Sequence, residues 1–172
     1  MINKQREAIL ELCSKRITKN EFYKAYGISE ATIVNEVGIQ LKRALLEKNP
    51  DNVEYSLLLG FSFEFPEGLI ESLNELSICS WHISHEDVLR LLQKKRSVSS
   101  IEYLSKAIRL KGELEYLEHD DYGAYYAKCL WALVAIGTIE AKNEVQVHTL
   151  SNIQPLRNEA VICLSKFGKC SQ

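Results

Sequence analysis

The spacing of apolar residues constrains the fold of this chain more than any other feature. Apolar side chains recur at intervals of three and four residues in almost every segment, as in Ile33, Val37, Leu41 and Leu45. This period matches the turn of an α-helix, whereas a half-buried strand would alternate apolar and polar residues. Alternating stretches of useful length are missing from the sequence. The periodicity therefore predicts an all-α protein.

Helix-start and helix-stop signals divide the sequence into short helices. In a capping box, a Ser or Thr hydroxyl and an acid three residues later each accept a hydrogen bond from a free backbone N–H. This spacing occurs in Thr18 with Glu21, in Ser99 with Glu102 and, with a shorter acid, in Ser84 with Asp87. Asn49 before Pro50 predicts the end of the helix that starts after Ser29. Gly137 and Gly168 each follow an apolar helix and suit a left-handed cap.

An internal repeat is the most informative pattern. Leu92, Leu133 and Leu164 align with one another at offsets of 41 and 31 residues. The aligned pairs include Val88 with Cys129, Leu91 with Ala132, Ser97 with Thr138, Ala132 with Cys163, and Gly137 with Gly168. Each unit reads as an apolar helix, a short turn and a second helix that opens with Ser or Thr. Such a period predicts a right-handed α-solenoid of roughly three to four helical hairpins, in which the three leucines are equivalent buried positions.

The predicted organisation is one α-helical domain over residues 1–172, with N-terminal helices in 1–49 and repeats in 50–172. A length of 172 residues fits one domain, and 46% hydrophobic with 26% charged residues is a globular composition. The longest uncharged apolar-rich run, around 129–139, is far shorter than the roughly 20 residues that a membrane span needs. We therefore expect no membrane association.

The cysteines point to a reducing compartment. The five are Cys13, Cys79, Cys129, Cys163 and Cys170. Their number is odd and none forms a Cys-x-x-Cys pair, which excludes zinc-ribbon and thioredoxin sites. Most lie at apolar positions of helical patterns and are expected to be small buried side chains. The N-terminus is charged and amphipathic rather than signal-like, so we expect a cytoplasmic protein.

Two groups of residues carry a resemblance to a known family. The first lies in Ala127–Ala141, with Leu130-Trp131-Ala132-Leu133, Ile136-Gly137-Thr138 and Glu140-Ala141; the second comprises Asp51–Tyr55, Trp81-His82, His85–Val88 and Leu91–Gln93. Together, over roughly residues 50–170, they resemble small bacterial HEAT-repeat proteins encoded in polymorphic-toxin settings. The turn at Lys94–Arg96 departs from the family in lacking the Asp-Pro common there. The resemblance implies HEAT-like hairpins and an immunity protein that binds and blocks a cognate toxin without catalysis.

Charge is distributed in blocks along the chain. Residues 61–89 carry six acids and no Lys or Arg, residues 90–111 carry seven bases against one acid, and residues 112–126 carry five acids and no base. The net charge of −2 conceals this pattern. Two interpretations remain open: solvated outer faces of successive helices, or a surface that meets a basic partner.

Residues 112–126 are the candidate binding surface. It combines its acids with four tyrosines, a residue type enriched at interface hot spots, while acids steer a cationic partner toward the surface. We predict a protein-binding site at Tyr116, Glu118, Asp120, Asp121 and Tyr122, directed at a basic protein such as a toxin domain. The alternative is an ordinary long turn whose tyrosines pack inward. We expect at least one of Tyr125 and Tyr126 in the core.

Candidate catalytic and metal-binding groups are weak. His82, His85 and Glu86, with Cys79, have the residue types of a zinc site. Ser84 reads as a helix cap, however, so the two histidines are expected to lie on either side of a helix boundary. His119-Asp120-Asp121 lacks a partner, and phosphate-binding or nucleophile motifs are missing from the sequence. The prediction is no enzyme, no catalytic residue, no metal and no cofactor.

Two other functions remain open besides immunity. A HEAT-like DNA glycosylase would use the basic block 94–111 and the rings of Trp81 and Trp131 to hold DNA. The flanking acidic blocks disfavour a nucleic-acid partner, and Trp131 lies in the most apolar helix, where core packing is expected. A regulatory scaffold for an endogenous partner is the other alternative, and it has the same sequence features as an immunity protein.

Overall fold

The computed structural model describes residues 1–120 and 123–167, and all regular structure in these ranges is helical. The all-α prediction is therefore confirmed. The helices are α1 (Asn3–Cys13), α2 (Lys19–Tyr26), α3 (Ile33–Glu47), α4 (Pro50–Ser62), α5 (Ile70–Ser77), α6 (His85–Lys95), α7 (Ile101–Leu110), α8 (Ala124–Ile136), α9 (Ile139–His148) and α10 (Gln154–Leu164). None of the described helices combines the length and apolarity that a bilayer span requires.

The helices fall into two units, residues 1–72 and residues 73 onward, with α5 spanning the division. In the first unit α3 packs along α4, and α1 packs on α2 and α4. Ile9, Phe22, Val37 and Leu59 form its core and are fully buried. The repeats are predicted to begin at residue 50, which is the first residue of α4. Helix α4 nevertheless packs on α3, one of the N-terminal helices that precede this boundary. The arrangement of residues 1–172 as one domain stays a prediction.

In the second unit α8 is the central helix. It contacts α6, α7, α9 and α10, which explains why it is apolar on nearly all sides. Both Tyr125 and Tyr126 are buried, as expected of at least one of them. Trp131 is half-buried, and its Nε1–H donates a hydrogen bond of 2.8 Å to Glu159 Oε1 on α10.

The predicted helix boundaries are mostly correct, but two of the predicted caps do not form. Thr18 and Glu21 make the complete capping box, and Gly137 ends α8 with a left-handed φ of 76°. Ser84 precedes α6 without capping it through its side chain. The predicted cap at Ser99 is wrong, because Ser99 lies within a 3-10 turn, Val98–Ser100, and α7 begins only at Ile101. Gly168 lies outside the described residues.

The repeat alignment is only partly correct. Leu92 and Leu133 are both fully buried, and the aligned pairs Val88 with Cys129 and Leu91 with Ala132 are buried as well. Ser97 and Thr138 are only partly buried. Leu164 is only partly buried, so its predicted equivalence with the other two is wrong. The reason is that α10, the last described helix, packs mainly on α8 and α9 and leaves Val161 and Ile162 exposed.

The cysteines follow their expected burial in part. Cys129 and Cys163 are buried, Cys79 is partly buried and Cys13 is exposed. No disulfide joins any two of these four residues, and Cys170 lies outside the described residues.

Candidate functional site

In the connection between α7 and α8, buried leucines that hold the backbone alternate with exposed acids. Two 3-10 turns, Lys111–Glu113 and Glu115–Leu117, shape it, and Leu114 and Leu117 are buried. The acids next to these leucines, Glu113, Glu115 and Glu118, are exposed. We call residues 112–120 the acidic segment.

Asp120 closes the acidic segment as a helix cap. Its Oδ1 accepts the N–H of Ala124 at 2.8 Å and its Oδ2 accepts the N–H of Tyr125 at 3.1 Å. Lys111 Nζ lies 3.6 Å from the same carboxylate, and the two side chains are only 14% and 12% exposed. The expectation that Asp120 is an exposed steering charge is therefore wrong, because both of its oxygens are engaged at the start of α8.

Replacing Asp120 with alanine should lower the free energy of unfolding by about 1–2 kcal/mol. Asp120 lies three residues before Gly123, the N-cap of α8, and this is the usual effect of losing a side chain that accepts the free N–H groups of a helix start. Urea unfolding followed by helical circular dichroism measures it. Glu118→Ala is the matched control, because Glu118 is an exposed acid of the same segment and its loss should change stability by less than about 0.5 kcal/mol. Equal effects of the two substitutions would contradict the capping role.

His82 and His85 form a buried stacked pair behind this segment. Their ring centroids lie 4.1 Å apart with an angle of 15° between the planes. The N–H of Ser84 donates to His82 Nδ1 at 3.1 Å, so His82 Nε2–H donates to the carbonyl of Leu76 at 2.8 Å. His85 Nε2 lies 2.7 Å from the carbonyl of Cys79 and donates to it. Each ring is thereby held as one neutral tautomer.

The histidine pair is unsuited to binding a metal. Three of its ring nitrogens bond to backbone groups, and the fourth, His85 Nδ1, accepts the hydroxyl proton of Tyr116 at 2.8 Å. His82 precedes α6 and His85 is its first residue, so the predicted helix boundary between them is confirmed. Among the described residues, no group of three His, Cys, Asp or Glu side chains is arranged to hold a metal ion.

Tyr116 connects the buried pair to the surface. Its hydroxyl is fixed on His85, its ring stacks on the His85 ring with centroids 5.8 Å apart, and 40% of the residue remains exposed. Burial, and secondly the nearby Glu86 carboxylate, raises the pKa of the Tyr116 hydroxyl, so the group keeps the proton that it donates. The exposed part of the ring is therefore held in one orientation.

A cleft of about 380 Å³ lies beside Tyr116. Its lining comes from two stretches of the chain, residues 80–83 and residues 113–116. Trp81 is half-buried and meets the edge of His82 with centroids 5.1 Å apart, while Ile83 is 65% exposed. Glu113 and Glu115 make no ion pair with any described residue. We call this the acidic–aromatic cleft.

The structure brings together only part of the predicted site. Tyr116 lines the acidic–aromatic cleft, whereas Glu118 lines a neighbouring cleft of about 420 Å³ with Lys111 and Tyr126. Asp121 and Tyr122 lie outside the described residues. The sequence suggests Trp81 only as a ring that could hold DNA and His82 only as a metal ligand, and nothing in it connects residues 80–83 to Tyr116.

Comparison with protein-family models, with curated proteins and with solved structures finds no match for this chain. The geometry of the acidic segment and its clefts is therefore the guide to function.

Proposed function

We propose that this chain is a non-catalytic protein-binding module, an immunity protein that binds and blocks a cognate bacterial toxin. The observation that carries the proposal is the acidic–aromatic cleft. There, aromatic rings held by contacts with the histidine pair lie next to carboxylates that have no ion-pair partner among the described residues. A few residues supply most of the energy of a protein interface, with Trp and Tyr enriched among them, and surface acids speed the approach of a basic partner. Blocking requires affinity alone, so no catalytic group or cofactor is invoked.

We also propose that the second unit is part of an α-solenoid of HEAT-like hairpins. The order of helix contacts supports this: α8 lies between α6 and α10, and α7 packs on α9. Hairpins stacked in series give these contacts, because each repeat buries its apolar face on the next. The matching burial of Val88 with Cys129 and of Leu92 with Leu133 supports the same repeat.

The two alternatives are distinguished from immunity by different observations. A DNA glycosylase needs aromatic rings that are open to a base, but the Trp131 indole N–H is bonded to Glu159 on the neighbouring helix. The other aromatic surface lies beside Glu113 and Glu115, whose charges repel phosphates. A regulatory scaffold would use the same cleft as an immunity protein and would differ only in the nature of its partner.

Capture from the native host followed by a toxicity assay tests the proposed function. The full chain should retain one basic protein, and co-expression of the chain should abolish that protein's toxicity to cells. With the purified pair, Glu113→Gln with Glu115→Gln should slow association and flatten its salt dependence. Tyr116→Ala should speed dissociation by about 1 kcal/mol or more in activation free energy if the ring is a hot spot.

Two results would contradict the immunity function, and a third would contradict only the assigned surface. A non-toxic partner would favour the scaffold, and base excision from damaged DNA would favour the glycosylase. A toxic partner whose binding rates are unchanged by all three substitutions would place the interface elsewhere on the chain.

A further inference from the structure

The acidic–aromatic cleft has walls that are rigid before any partner arrives. The Trp81 ring makes an edge contact with His82, and the Tyr116 hydroxyl is hydrogen-bonded to His85. The two histidines stack on each other and donate hydrogen bonds to backbone carbonyls. Two partly exposed rings are therefore held from behind by one buried pair. A surface ordered in advance loses less conformational entropy on binding than a flexible one.

The charges of the cleft select a cation. Glu113 and Glu115 are both exposed and have no ion-pair partner among the described residues. They lie two residues apart, Glu113 at the end of one 3-10 turn and Glu115 at the start of the next. No Lys or Arg side chain lines the cleft. The apolar lining by Ile83 and Leu114 favours a group that is only weakly hydrated.

We propose that the acidic–aromatic cleft binds an arginine side chain of the partner protein, with the guanidinium against its aromatic walls and hydrogen-bonded to Glu113 and Glu115. The proposal rests on the proposed function in that the arginine belongs to the protein that is blocked. It adds the chemical group that is recognised and the residues that recognise it.

Arginine fits this cleft better than lysine for three physical reasons. Its guanidinium is planar and stacks on aromatic faces, where a cation is also attracted by the electron-rich ring. It is more weakly hydrated than an ammonium group, so it leaves water for a partly apolar cleft more readily. Its several N–H donors can reach two carboxylates at once, whereas an ammonium acts as a compact point charge.

Nuclear magnetic resonance with three matched peptides tests the proposal on the full chain. The probes are acetylated and amidated Gly-Gly-X-Gly-Gly peptides in which X is arginine, lysine or citrulline. The arginine peptide should shift the indole N–H signal of Trp81 and the amide signals of residues 113–116, with saturation at millimolar concentration. The lysine peptide should bind several-fold more weakly. Citrulline, which has a similar shape without the charge, should leave these signals unchanged.

Substitutions in the acidic segment provide the control. Glu113→Gln with Glu115→Gln should weaken binding of the arginine peptide at least tenfold, because both charged acceptors are removed. Glu118→Gln removes another exposed acid, which lines the neighbouring cleft but not the acidic–aromatic cleft, and it should leave the affinity unchanged. Neither change touches a buried group, so the backbone spectrum should otherwise be preserved.

Three results would overturn the proposal: equal shifts with the citrulline peptide, absence of shifts up to about 10 mM arginine peptide, or equal weakening by Glu118→Gln. Stronger binding of the lysine peptide would assign the cleft to lysine and would also overturn it. The proposed function fails separately, since a toxin could be captured and neutralised through another surface while the cleft ignores arginine. Conversely, the peptide could bind here although the native partner is not a toxin.

Discussion

Replacing Leu133 with alanine should lower the free energy of unfolding by about 2–5 kcal/mol, the largest effect that we expect from a single substitution in this chain. Leu133 is fully buried in α8, the helix that contacts α6, α7, α9 and α10. Truncation there removes apolar contacts and leaves a cavity that several helices would have to move to fill. Urea unfolding of the full chain, followed by helical circular dichroism, measures the change.

Leu150→Ala is the matched control for this substitution. Leu150 is 85% exposed, and its truncation should change the stability by less than about 0.5 kcal/mol. The partly buried Leu164 should give an intermediate loss. A loss below about 1 kcal/mol for Leu133→Ala would mean that α8 is not the centre of the second unit.

Acidification should destabilise the fold through the buried histidine pair. Burial, and secondly the neighbouring His82, lowers the pKa of His85 to about 4, and burial also lowers the pKa of His82. In the unfolded chain histidine titrates near 6.5, so below that pH the unfolded state binds protons that the folded state does not. The contribution is full above about pH 6.5 and is lost as the pH falls toward 4. Between about pH 7.5 and pH 5, protonation linked to His85 alone should lower the free energy of unfolding by about 2 kcal/mol.

Two measurements assign this pH dependence to the pair. Stability from urea unfolding should fall steadily as the pH is lowered over this range, and less steeply in His85→Gln. Exposed carboxyls with lowered pKa, such as Glu102 beside Lys106, contribute only at lower pH, which is why the range ends near pH 5. The ring signals of His85 in nuclear magnetic resonance should stay those of neutral imidazole down to pH 5. Protonation of His85 near pH 6.5, with constant stability, would contradict the prediction.

Features of the fold that depend on local chemistry could be predicted from the sequence. The apolar residues of α8 predict its burial between neighbours, since a helix without a polar face needs partners on all sides. Thr18 and Glu21 form their capping box because both partners lie within one helical turn. Ser99 has the same spacing without the same outcome, because a 3-10 turn moves the start of α7 past it.

The site was less predictable because its parts are distant in sequence. Tyr116 bonds to His85, 31 residues earlier, and the cleft beside it needs residues 80–83 as well. No spacing rule connects such positions, so Tyr116 could be proposed as an interface residue but not as the wall of a cleft. For Asp120 the sequence predicts the wrong role. Its acidity predicts a surface charge, but its position shortly before α8 lets its carboxylate accept the first N–H groups of that helix.

The alternation of anchors and exposed acids in residues 112–120 separates what holds the backbone from what a partner would meet. Leu114, Leu117 and the Lys111–Asp120 ion pair fix the course of the chain, while Glu113, Glu115 and Glu118 contribute little to the core. Substitutions at the exposed positions can therefore accumulate at small cost in stability. A lineage could exchange the acids for other side chains and acquire a new recognition specificity on an unchanged scaffold, keeping pace with a partner that is itself diverging.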